Sequence, residues 1–147
     1  MLRSLGAVLL FALLAGTPAY AQHRAQFVVQ VTVPARVTLA ATEQPTRLAL
    51  TEEDIARGYK DVSARYVVDQ NSDRGWLLRL SPRTGLTRHV EVRGLSATLV
   101  LQAETVEVYQ PQASEPQSLA LDYRFVLAAD AQPGSYPLPV QLSAAPL

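Results

Sequence analysis

The chain has 147 residues, 13 basic and 13 acidic side chains and no cysteine. That length suits one domain with a real hydrophobic core. The charge balance excludes a dedicated nucleic-acid binder, and the missing cysteines exclude a disulfide framework, a thiol nucleophile and a Cys-ligated metal.

Residues 1–21 read as an export signal. Arg3 is the only charge before Gln22, and Leu5 to Gly16 is an uncharged apolar run. Ala19-Tyr20-Ala21 then places small residues for cleavage before Gln22. The run is shorter than the roughly 20 residues a bilayer span needs. The expected domains are therefore a cleaved signal at 1–21 and one β-sandwich domain at 22–147, with no later membrane span. Without Arg3 the remaining chain carries a formal charge of −1. The expected compartment is the periplasm or the cell surface.

Period-two alternation dominates the rest. Phe27, Val29, Val31 and Val33 share one face of an N-terminal run. It reads as the first strand of the domain's own sheet, and it also suits addition to a neighbour's sheet. Val37 and Leu39 continue it after Pro34, and Leu48 with Leu50 makes a short run. Thr51 to Gly58 breaks the alternation. An N-cap candidate, three acids and a final Gly predict a helical turn or two over about residues 52–57. Its acids suit the positive end of the helix dipole better than a metal site.

Further runs follow at Tyr66/Val68, Trp76/Leu78/Leu80, Val90/Val92 and Leu95 to Leu101. Val106/Val108, Leu119 to Leu127 and Tyr136 to Leu142 complete the series. Asn71 to Gly75 and Ser81 to Gly85 read as hairpin loops, and residues 110–117 and 130–134 as further loops. Seven to nine short strands with this spacing predict an all-β, antiparallel, Ig-like β-sandwich. The expected core is Val29, Val31, Trp76, Leu78, Val90, Leu99, Leu121, Tyr123, Phe125 and Leu138. Pro137 and Pro139 share a parity. That predicts a single last strand at a sheet edge, with its proline side outward and its outer edge guarded against pairing.

Chemistry is sparse. His89 lies on the polar face of its run, His23 is near the expected new N-terminus, and neither has metal-ligand spacing. No nucleophile elbow or phosphate loop is present. The reading is a non-enzyme with no cofactor and no metal. Tyr59, after Gly58, and Tyr109, beside Pro111, are the candidate exposed aromatic contacts. With Phe27, Val29 and Val31 they are the candidate interaction residues. Residues 74–103 sum to +4 and residues 104–130 to −4, a pattern that suits a mixed surface better than one basic face.

The order of export signal, Val31-Thr32-Val33-Pro34-Ala35-Arg36-Val37, a central Asn71-Ser72 to Gly75-Trp76 turn and a closing Pro133-Gly134-Ser135-Tyr136 resembles small bacterial extracytoplasmic Ig-like proteins. The fimbrial-subunit and spore-coat-protein-U-like group is the one it resembles. That resemblance implies a β-sandwich, export, and assembly into a fimbria- or pilus-like surface structure with other envelope proteins as partners. The chain departs from fimbrial subunits in lacking a disulfide, and no functional residue carries over. The alternative is a periplasmic module that binds a peptide, glycan or protein through loops 71–75, 81–85 and 110–117.

Overall fold

The alternating runs become ten strands in a computed structural model that describes residues 30–147. They are β1 (Val37–Glu43), β2 (Arg47–Leu50), β3 (Tyr59–Gln70), β4 (Trp76–Pro82), β5 (Thr87–Arg93), β6 (Leu99–Leu101), β7 (Val106–Gln110), β8 (Gln117–Leu127), β9 (Gly134–Pro137) and β10 (Val140–Pro146). One helix, α1 (Glu52–Arg57), lies between β2 and β3.

Every pairing is antiparallel. One sheet has the order β1-β3-β8-β5-β6, a second has β10-β4-β7, and β2 with β9 forms a two-stranded ribbon. Burial alternates as the sequence alternates. On β4, Trp76, Leu78 and Leu80 are buried between the sheets while Arg79 faces water. On β8, Leu121, Tyr123, Phe125 and Leu127 are buried. Val90, Val92, Leu101, Leu138 and Val140 join them in one core. The Tyr123 and Phe125 rings stack 5.8 Å apart, and the Tyr66 and Tyr123 hydroxyls bond each other at 3.2 Å inside the core. The fold is an all-β antiparallel sandwich with one short helix.

The helix follows from purely local chemistry. Thr51 caps it, with the side chain of Asp54 returning to the Thr51 N–H. Gly58 ends it at φ 77°, a left-handed conformation that costs glycine nothing.

Several expectations give way. No strand is assigned to residues 30–36, and Val31 and Val33 are 76% and 70% exposed, so Val31 is not a core residue. Apart from the Asn71 bonds to Pro34 and Arg36, no strand pairs with this segment among the described residues, so the Val31 and Val33 side chains stay in water. Phe27, Val29, His23 and the expected signal at 1–21 lie outside the described residues. Leu99 is half-buried rather than central. The run at Leu95 to Leu101 shortens to β6, because Val92 pairs directly with Leu99 and the residues between them must reverse the chain.

The turns at 71–75 and 81–85 are not hairpins. The first carries the chain from β3 to β4, and the second from β4 to β5, so both cross between sheets. Turn residues specify a reversal, not which strand lies next door.

The run at residues 136–142 is not one strand. It splits at Leu138-Pro139, with β9 pairing to β2 and β10 to β4.

Candidate functional site: the open edge between β1 and β10

β10 is an edge strand. Its register against β4 places Val140 opposite Pro82 and Pro146 opposite Trp76. Arg83 donates its N–H to the Pro139 carbonyl at 2.8 Å, and Leu147 donates to Gly75 at 3.3 Å. Both pairs continue that register. Directly opposed residues that exchange such bonds alternate with residues whose groups point away. Odd-numbered residues of β10 therefore face β4 with their backbone. Val140, Leu142 and Ala144 direct their N–H and C=O groups outward, where no described strand receives them.

This reverses the expectation from the prolines. Pro139 has the parity that faces β4, so its missing N–H falls on the paired side. The outer side keeps all three donors from Val140 to Ala144, and only Pro146 lacks one. The edge is unguarded over most of its length.

β1 is the edge of the opposite sheet. Asn71 donates its N–H to the Arg36 carbonyl at 3.0 Å, in line with the Val37–Gln70 register. Even-numbered residues thus face β3, and Val37 and Leu39 turn their backbone groups outward. The side chains on both edges point inward. Val37, Leu39, Leu142 and Ala144 are only partly buried, packed against the core. Beside the edges lies a cavity of about 360 Å³, lined by Leu39, Leu138, Val140 and Leu142 together with the polar Gln44, Thr46, Arg83 and Gln141. The opening thus offers unspent backbone groups along its rim and a mixed polar and apolar lining.

The other candidates are dispersed. Tyr59 is half-buried, its ring lying 4.4 Å from the Arg124 guanidinium and 5.5 Å from that of Arg57. Arg124 is bound to Asp61 by two hydrogen bonds of 2.8 and 3.0 Å. Those partners lower the availability of Tyr59 as a contact. Tyr109 is 58% exposed on the outer face of β7. Its ring leans over Gly75, where an added Cβ would lie 3.1 Å from it and 2.4 Å from the Gln110 carbonyl.

The three loops do not converge. Loops 71–75 and 110–117 share one end of β4, since Trp76 pairs with Gln110 and Gln70 donates to the Ala113 carbonyl. Loop 81–85 is at the other end, where Arg83, Leu86, Asp130, Tyr136 and Pro139 line a cleft of about 510 Å³. The basic residues of 74–103 also scatter. Arg79 pairs with Glu107 on one sheet and Arg93 with Glu91 on the other.

Sequence reasoning missed Asp54. Its carboxylate is 1% exposed and accepts bonds from the Thr51 N–H and hydroxyl, from Arg57, and from Lys60 at 2.8 Å. Lys60 above all, with Thr51 and Arg57, holds its pKa far below the usual carboxylate range against the opposing effect of burial. This cluster staples α1 to the start of β3. His89 lies 3.9 Å from Glu91, and no group of three or more His, Cys, Asp or Glu among the described residues is placed to hold a metal. No helix among them is long and apolar enough to cross a membrane. Comparison with family models, curated proteins and solved structures finds no match.

Proposed function

We propose that the chain is an exported, non-catalytic assembly component of a bacterial surface structure, and that it accepts a strand at the β1/β10 opening. The observation that carries this reading is the row of outward backbone groups at Val140, Leu142 and Ala144, the first two beside a cavity of mixed lining. Unpaired edges of this kind are templates for an added strand, with main-chain bonds giving affinity and alternate side chains filling pockets. The occupant is residues 27–33 of a second copy. Phe27, Val29, Val31 and Val33 have the required alternation, and Val31 and Val33 are exposed. The segment matches β10 in length, at seven residues.

The test is deletion of residues 22–33, with the mass of the assembly measured by light scattering. β1 begins at Val37 and the core uses none of residues 30–36. The deleted chain should fold and stay monomeric while the full chain assembles. Loss of folding on deletion would make the segment an intrinsic strand and end the proposal.

The cleft at Arg83, Asp130 and Tyr136 favours a second reading, a periplasmic binding module with a small loop-borne site. That reading predicts a monomer at every concentration.

A further inference from the structure

The cleft of about 510 Å³ beside loop 81–85 has a fixed floor and unspent charge at its rim. Three segments meet there: the crossover from β4 to β5, the loop from β8 to β9, and the junction of β9 with β10. Backbone bonds tie them together. Arg83 donates its N–H to the Pro139 carbonyl at 2.8 Å, and Ala128 donates to the Leu86 carbonyl at 3.0 Å. Ala131 donates to the Ala128 carbonyl at 3.1 Å, which closes a turn over residues 128–131 that carries Asp130. The Tyr136 hydroxyl donates to the Gln132 carbonyl at 2.9 Å and so fixes its ring. Leu86, Ala131 and Tyr136 pack against the core, and Pro139 is buried. The apolar floor is therefore in place before any ligand arrives, as in small-molecule sites generally.

The rim carries one charge of each sign. Arg83 comes from the crossover and Asp130 from the turn, and both side chains are exposed. Arg36, Arg57, Arg79, Arg93 and Arg124 each hold a carboxylate. Arg83 and Asp130 make no ion pair and no side-chain hydrogen bond among the described residues, with each other or with any third group. A guanidinium presents a donor fork that fits a carboxylate, and a carboxylate accepts from an ammonium group. An inorganic anion would meet Asp130 as a like charge, and a metal cation would meet Arg83. A neutral sugar would leave both charges unmatched. The molecule that uses the floor and the whole rim has a carboxylate, an ammonium group and an apolar body between them. The volume lies in the range of about 300–1,000 Å³ that suits drug-sized ligands, which is more than one free amino acid fills.

We infer that this cleft binds a free dipeptide, with its carboxylate on Arg83, its ammonium group on Asp130 and an apolar side chain on the floor. This rests on the binding-module reading above, to which it adds the ligand, and it does not depend on the strand-acceptor reading.

The test uses the exported chain, purified from a periplasm and held at a concentration where it is monomeric. The probes are alanyl-phenylalanine, its N-acetyl form without the ammonium group, and its C-terminal amide without the carboxylate. The backbone amide shifts of Leu86 and Ala131 locate binding, and their titration gives Kd. The free dipeptide should bind with a Kd of about 0.1–1 mM, and each modified form about tenfold more weakly. Asp130→Asn should bind the dipeptide about tenfold more weakly and no longer distinguish it from the N-acetyl form, while still rejecting the amide. Arg83→Gln should do the reverse. Both side chains are exposed and unbonded, so both variants should keep the parent's fold. Equal binding of all three probes at Leu86 and Ala131 would mean that the two charges do not select the ligand. The inference then falls and the binding-module reading stands. Variants that weaken every probe alike overturn the inference in the same way. If no probe shifts Leu86 or Ala131 up to about 10 mM, the cleft is no peptide site and the binding-module reading falls with the inference.

Discussion

The two sheets of this sandwich are finished to different degrees. On the outer face of the five-stranded sheet, charges on neighbouring strands answer one another. Asp61 meets Arg124 across β3 and β8, the Ser63 hydroxyl donates to Asp122 between the same strands, and Glu91 meets Arg93 along β5. Its β1 edge carries Glu43 against Arg65 and ends in the Asn71 side-chain bonds to Pro34 and Arg36. The three-stranded sheet has Arg79 against Glu107 on its outer face, yet its β10 edge leaves three residues with unspent backbone groups. Edges on monomers are ordinarily blunted by charge, proline or a bulge. Here Pro139 falls on the paired side and Pro146 takes only the last outward position of β10, so the blunting is missing where the cavity lies. The contrast is the ground of the proposed strand-acceptor reading.

The strongest way to break the comparison is through the core both sheets share. Phe125→Ala removes a fully buried ring stacked on Tyr123 and should cost about 3–5 kcal/mol in urea unfolding. A cost under about 1 kcal/mol would mean that the sheets do not pack through this residue.

Next comes the buried carboxylate. Asp54→Asn leaves Lys60 and Arg57 without their anion and should cost roughly 2–4 kcal/mol at neutral pH. The folded-state pKa of Asp54 lies below its unfolded value. Its contribution is therefore fully present above about pH 4 and is lost as pH falls through that value toward the folded pKa. Stability of the parent should fall on acidification below pH 4, and Asp54→Asn should flatten that fall. Equal acid sensitivity in both would assign it to other carboxylates.

Ala144→Pro sharpens the comparison at the edge. It deletes one outward N–H and spares every bond to β4, so its stability cost should stay near 1 kcal/mol or below while assembly is lost. A variant that assembles at the parent's midpoint would move the accepting edge elsewhere. The smallest effect belongs to the finished face. Arg124 and Asp61 are a solvent-facing pair, and a double-mutant cycle should return about 0.2–1 kcal/mol. A coupling of several kcal/mol would show that this face carries more of the fold than its exposure suggests.

What could be read in the sequence was local. The cap at Thr51, the acids after it and Gly58 define α1 to the residue, since each acts within one turn. Faces of strands were legible too, because burial on β4 and β8 follows the period of two. Sheet membership was not. The 71–75 and 81–85 turns carry hairpin chemistry, and only the tertiary fold decides that they cross between sheets. The parity of Pro137 and Pro139 was correctly noted and wrongly applied, because the chain changes partner between them. Three acids in a row gave no sign that Asp54 alone turns inward, since its main partner, Lys60, lies past the helix on β3. For the candidate site, the alternation at Phe27, Val29 and Val31 was visible as a donor pattern. The unpaired β10 edge was not, because an open edge is a property of topology.

The most direct measurement is the mass of the exported chain by size-exclusion chromatography with light scattering, over a wide concentration range, beside Ala144→Pro. The account predicts a concentration-dependent oligomer in the parent and a folded monomer, with Trp76 still buried, in the variant. A parent that stays monomeric at every concentration would contradict it.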